Sequence, residues 1–191
     1  MTKLLTLPFK GMKVSSITQF YHTEHTALDI VKGGVPEDYG TPLCAPEDCK
    51  VIGMTEGTFT PGNNNQLEHG YGIFLKGLET GYSYLFWHTL PMMPVYLHDN
   101  LQRGSIVAFM GNAGKVFKNG KYVPLKDRLN VDKAGTHLHL EMFDKGYVYG
   151  KKKKFIDPLP HLGWALEPKY TKADLIDAKD IVLQKVKELV G

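Results

Sequence analysis

Eight consecutive residues, Gly135-Thr-His137-Leu-His139-Leu-Glu141-Met142, hold the densest chemistry in the chain. Alternation along a strand sends His137, His139 and Glu141 to one face and Leu138, Leu140 and Met142 to the other. One face wants an apolar core; the other offers two imidazoles and a carboxylate. Such a face suits a metal ligand with catalytic and orienting neighbours. A half-buried strand whose histidines are merely hydrogen-bonded has the same pattern. A second group lies upstream, His25-Thr-Ala-Leu-Asp29. On an extended strand His25 and Asp29 would stand roughly 13 Å apart, so sharing one ion requires a bend around Thr26-Ala27. With that bend, His25, Asp29 and His139 supply two nitrogens and one carboxylate oxygen and leave a position open for water. That is the pattern of catalytic zinc rather than structural zinc. His88 and His137 are not needed for coordination and suit proton handling beside a metal-activated water. Fe(II) also binds two histidines and a carboxylate, but the His-x-Asp spacing usual there is absent.

The elements that must position these residues read as mostly β. Val14 to Phe20, Ala27 to Val31, Thr41 to Ala45, Lys50 to Met54, Gly72 to Lys76, Gly81 to His88, Ile106 to Met110 and Thr136 to Phe143 are the expected strands, separated by Gly and Pro turns. Alternation in Gly81 to His88 places Tyr82, Tyr84, Phe86 and His88 on one face. Thr58 to Gly70 reads as an exposed loop, and Gly111 to Ala134 as a long connection. Within the latter, Lys118-Asn119-Gly120-Lys121 carries a hairpin turn signal. Lys151 to Lys154 is a charge run that suits a solvated loop. At the end, Thr171-Lys-Ala-Asp174 resembles a capping box, and Leu175, Ala178, Val182, Val186 and Leu189 recur at helical spacing. This predicts a terminal amphipathic helix over 167–191, docked on a 1–166 domain or used for self-association.

Composition excludes several classes. At 191 residues with 42% hydrophobics the chain can bury a sizeable core. The net charge of +3 is mild, and no nucleic-acid partner is expected from it. No apolar run reaches membrane-spanning length, and the first ten residues lack a signal-peptide pattern. Cys44 and Cys49 flank a tight turn, where reduced thiols packed as small apolar groups are the expectation.

Three motifs taken in order, His25-Thr-Ala-Leu-Asp29, Phe86-Trp-His88-Thr-Leu90 and Gly135-Thr-His137-Leu-His139-Leu-Glu141, resemble those of the M23 (lysostaphin/LytM-type) zinc metallopeptidases. Gly40-Thr-Pro-Leu-Cys-Ala45, Leu101 to Val107 and Met110-Gly111-Asn112 are similar to that family's connecting segments, so the resemblance spans roughly Leu7 to Pro158. It implies a compact antiparallel β-sheet or sandwich with a zinc-lined groove, and one Zn2+ held by His25, Asp29 and His139. His88 and His137 would be the catalytic pair, one taking the proton and the other holding the oxyanion, in an order the sequence leaves open. The implied activity is zinc-dependent endopeptidase cleavage of peptidoglycan stems or cross-bridges. Some relatives have lost zinc ligands and serve as non-catalytic binding or activator modules, but all five residues are kept here. Ala27 replaces the family's usual glycine, and the 111–135 connection is longer than usual. Without an export signal, a phage-associated or otherwise released cousin is expected, synthesised in the cytoplasm and acting on the cell wall. Glu141 is a candidate to orient a histidine, and His69, Tyr71 and Tyr122 are candidate groove contacts.

Overall fold

Short apolar runs punctuated by Gly and Pro fold, in the computed structural model, into strands and a long C-terminal helix; the structure describes residues 4–34, 36–56, 70–118, 121–124, 133–146 and 154–190. Among these, the strands in chain order are β1 (Ile17–Gln19), β2 (Leu28–Ile30), β3 (Pro42–Cys44), β4 (Cys49–Thr55), β5 (Gly72–Gly77) and β6 (Ser83–Trp87). They continue with β7 (Asn100–Leu101), β8 (Ile106–Phe109), β9 (Phe117–Lys118), β10 (Lys121–Tyr122), β11 (Leu138–Phe143) and β12 (Phe155–Ile156). The helix, α1, is Lys172–Val190.

One antiparallel sheet runs β1-β2-β11-β6-β5-β4-β7, with β12 paired to β11. Its centre is β11, which pairs β2 on one side and β6 on the other. The registers His139↔Asp29 and His139↔Trp87 put Asp29, His139 and Trp87 in one row on one face. The opposite face buries Leu28, Ile30, Ile73, Tyr84, Phe86 and Leu140 in the main core. Leu43 and Val107, from the separate β3–β8 pair, close that core from its other side. The mainly β, antiparallel fold expected from the sequence is the one observed.

Several boundaries differ from expectation. The central strand begins at Leu138, not Thr136, so His137 sits just ahead of it. The aromatic strand ends at Trp87, one residue before His88. Tyr71, expected at the groove, is instead a core residue. β9 and β10 pair Lys118 with Lys121, as a two-residue turn requires; Asn119 and Gly120 themselves lie outside the described residues, as do 57–69, with His69, and 151–153 of the lysine run.

The helix starts as a capping box. The Thr171 N–H donates to Asp174 Oδ2 at 2.6 Å, and the Asp174 N–H donates to Thr171 Oγ1 at 3.2 Å. Leu175, Ala178 and Val182 pack on Cys44, Ile106 and Phe109 of the β3–β8 pair. Lys185 reaches Glu56 at 3.0 Å, locking the helix against the end of β4. Both cysteines are free and buried, and burial pushes each thiol up to about 12.

Leu140 is buried directly between the two residues on β11 that face the site. Truncating it to Ala removes apolar contacts and leaves a cavity, so Leu140→Ala should destabilise the protein by about 2–5 kcal/mol. Urea unfolding measures this, and a loss under about 1 kcal/mol would show that the layer beneath the site repacks freely.

Candidate metal centre

His25 and Asp29 meet because the chain turns sharply just before β2. The backbone N–H of His22 donates to the His25 carbonyl at 2.8 Å, and the His25 N–H returns the bond at 3.1 Å. The tight turn and a bend at Ala27 bring His25 Nε2 to 3.2 Å from Asp29 Oδ1. Ala27 is fully buried and is not among the non-glycine residues with positive φ. The bend therefore does not need the glycine usual at that position.

Asp29 Oδ1 is the point of convergence. His139 Nδ1 lies 2.8 Å from it across the β2–β11 register, and His137 Nε2 lies 3.8 Å away. Burial alone would raise the Asp29 carboxyl, but hydrogen bonding from His139, the close approach of the His25 imidazole and the charge of His137 outweigh it and hold the group far below the carboxylate range. Burial likewise pulls His139 down, yet Asp29 on one side and Glu141 on the other hold it up at about 9. Glu141 Oε1 stands 3.7 Å from His139 Nε2, so the imidazole is aimed at carboxylates from both nitrogens.

His88 reaches the site by breaking alternation. Continued extension would send it with Tyr84 and Phe86 into the core; instead His88 adopts φ +61°, a left-handed conformation rare outside glycine. The chain then leaves β6, and Thr89 bridges Met110 beyond β8. The expectation that His88 shares a face with Tyr84 and Phe86 is thus corrected by one backbone dihedral. Its ring sits 4.6 Å, centroid to centroid, from that of His137.

Both members of this pair are held through Nδ1. His88 Nδ1–H donates to the Ala113 carbonyl at 2.7 Å, and His137 Nδ1–H donates to the Gly135 carbonyl at 2.8 Å. A carbonyl can only accept, so each imidazole carries its proton on Nδ1 and turns a bare Nε2 toward the site. Burial, with the neighbouring imidazoles, holds His88 well below the usual histidine value; burial also lowers His137. Two neutral bases therefore lie beside one half-buried carboxylate.

The five residues singled out in sequence are all brought together. Two overlapping triads present donor atoms within 4.8 Å of one another: His25, Asp29 and His139, and also His88, His137 and His139. The first contains an anion, and its His25 Nε2 is buried and not aligned for a hydrogen bond with any described residue. An orphaned imidazole nitrogen, a carboxylate oxygen and a second imidazole nitrogen form a donor set that fits zinc. Sequence reasoning missed the backbone parts: Gly111, Ala113 and the Gly135 carbonyl. A Cβ on Gly111 would lie 2.9 Å from the His88 and Leu90 backbone. The sequence signals were the Met110-Gly111-Asn112 segment and the glycine that opens Gly135-Thr-His137, neither of which carried a role.

No family model matches the sequence, and no curated protein matches it. Solved structures do. Csd3 of Helicobacter pylori matches over 98% of this chain with a TM-score of 0.50 at 16% identity. The fold is that of the M23 peptidases. The chain spans 43% of Csd3. LytU is 20% identical, covering 84% of each chain at a TM-score of 0.49. The catalytic domain of the antimicrobial peptidase lysostaphin from Staphylococcus simulans is 16% identical, covering 83% of this chain and 90% of that domain at 0.46.

The carboxylate-centred cluster makes a titration prediction for the metal-free protein. His139, raised from 6.5 to about 9, stabilises the fold fully below about pH 6.5 and ceases to as pH rises through about 9. NMR should find His139 titrating near 9 and His88 neutral down to the acid range. In Asp29→Asn the His139 value should fall toward 6.5; a His139 unmoved by that substitution would mean that Asp29 does not set it.

Proposed function

We propose that this M23-fold protein is a zinc-dependent endopeptidase that cleaves peptide bonds in the stems or cross-bridges of bacterial peptidoglycan. In this reading His25, Asp29 and His139 hold the metal, and His88 and His137 are the catalytic pair. The observation that carries it is the meeting of a carboxylate-centred donor triad with two neutral imidazoles whose Nε2 atoms are bare. The three sequence motifs, which lie far apart in the chain and converge on this cluster, support the peptidoglycan substrate class.

A bound zinc ion would supply a Lewis acid for the scissile carbonyl and lower the pKa of a coordinated water toward about 7. The remaining work falls to the chain. His139, with Nδ1 toward Asp29 and Nε2 toward Glu141, has its ring plane set by two carboxylates. His88 and His137, each with Nδ1–H committed to a backbone carbonyl, can act only through Nε2. Each must first accept a proton there before it can donate one to an oxyanion or to a leaving amine. Burial opposes the first step and favours the second, because it lowers the proton affinity of each imidazole. Asp29 Oδ1 lies 3.8 Å from His137 Nε2, so the carboxylate that would hold the metal also borders the catalytic pair.

No helix among the described residues is long and apolar enough to cross a membrane. We place the protein's action at the cell wall after phage-type or other release, with wall peptides as its partner.

Metal analysis and wall hydrolysis test separate parts. His25→Ala, Asp29→Ala and His139→Ala should each lose most bound zinc, whereas His88→Ala and His137→Ala should retain it. Zinc lost from the latter two but kept by His25→Ala would instead select the all-histidine triad. With zinc retained, His88→Ala and His137→Ala should lose hydrolysis of purified peptidoglycan by about a hundredfold or more. A wild-type protein that binds zinc and walls without cutting them would support the non-catalytic binding module.

A further inference from the structure

The connection between β8 and β11 bears directly on the site, because its two ends supply the carbonyls that hold both imidazoles of the His88–His137 pair. Ala113, at its start, accepts from His88 Nδ1 at 2.7 Å, and Gly135, at its end, accepts from His137 Nδ1 at 2.8 Å. The His137 backbone N–H also donates to the Gly111 carbonyl at 3.3 Å. One buried side chain links these ends. Asn112, 4% exposed, lies between Gly111 and Ala113 and donates from Nδ2 to the Ala134 carbonyl at 3.2 Å.

We propose that Asn112 is a positioning residue for both imidazoles, clamping the stem of the insert so that the Ala113 and Gly135 carbonyls stay in place and keep His88 and His137 in the Nδ1–H form. Only the kinetic half of this inference rests on the proposed hydrolase activity.

The surroundings explain why a clamp is needed there. Gly135 has φ +78°, and a Cβ on it would meet Val116 Cγ2 at 2.5 Å, so the hairpin base packs tightly on the residue that holds His137. Val123 N–H donates to the Val116 carbonyl at 3.0 Å, closing the hairpin stem above this contact. Beyond it the insert projects Phe117 and Tyr122, which are 58% and 42% exposed. Phe117 and Tyr122 thus stand on the same stem as the Ala113 and Gly135 carbonyls. Asn112 makes its tie at the base of that stem, next to the histidines. The amide is the one neutral side chain short enough for this span that offers an N–H donor to a carbonyl.

The test is to measure imidazole tautomers by long-range 15N–1H correlation NMR, together with zinc content and steady-state hydrolysis. In the wild type, His88 and His137 should both show the Nδ1–H signature near neutral pH. In Asn112→Ala, zinc content should stay stoichiometric while at least one of the two acquires the Nε2–H form. In the same variant kcat should fall about 10- to 100-fold with KM changed less than about twofold, the scale for loss of an orienting partner. Asn112→Asp, which keeps the shape but loses the donor, should behave like Asn112→Ala, and is read alone if the alanine variant fails to fold. Unchanged tautomers in a folded variant would overturn the proposal whatever the kinetics. If the wild type proves not to be a hydrolase, the tautomer readout still decides the positioning claim.

Discussion

A single carboxylate organises this site. Asp29 is half-buried yet held ionised because three imidazoles crowd its Oδ1, at 2.8, 3.2 and 3.8 Å. A buried charge is tolerated only when paired. The pairing constrains everything around it: His139 must occupy the β11 position opposite Asp29, and the turn before β2 must return His25 to the same oxygen. Removing Asp29 would leave imidazoles crowded together without their anion, and removing an imidazole would leave the anion underpaired. The cluster therefore needs its members together, and the sheet supplies them.

The sheet divides labour by face. One face of β2, β11 and β6 is apolar and buries Leu28, Ile30, Leu138, Leu140, Tyr84 and Phe86. The other bears Asp29, His139 and Trp87 in one row. The core thus acts as a rigid backing for polar groups that would otherwise relax apart. The β3–β8 pair closes the core, and α1 covers the outside of that pair through Leu175, Ala178 and Val182. The helix is anchored on that pair and, through Lys185, on Glu56.

Backbone exceptions do the final placement. His88 enters the site through a left-handed φ, and glycine at 111 allows another segment to lie against the His88–Leu90 backbone. Such conformations are costly and persist where surrounding structure over-determines them. Here the bridge between Thr89 and Met110 and the Ala113 carbonyl supply that support. Two neutral imidazoles in one tautomer are the result.

The residue types and period-2 patterning of the chain determined a good deal by themselves. Alternation in Leu138 to Met142 identified the strand that divides core from site, and the Ala27 to Val31 pattern identified its partner. The terminal helix was legible from its capping residues and apolar spacing, because both signals are local. His25, Asp29, His88, His137 and His139 were legible as a set through motif types and order. Tertiary structure alone decided how they meet. The sequence makes His25 and Asp29 look too far apart and gives His88 the wrong face, since alternation assumes continued extension, whereas the chain closes a tight turn at His22–His25 and leaves β6 at His88 to meet Met110 beyond β8. The carbonyls of Ala113 and Gly135 were invisible for a different reason: every residue has a carbonyl, so no residue type marks the ones that fold against an imidazole.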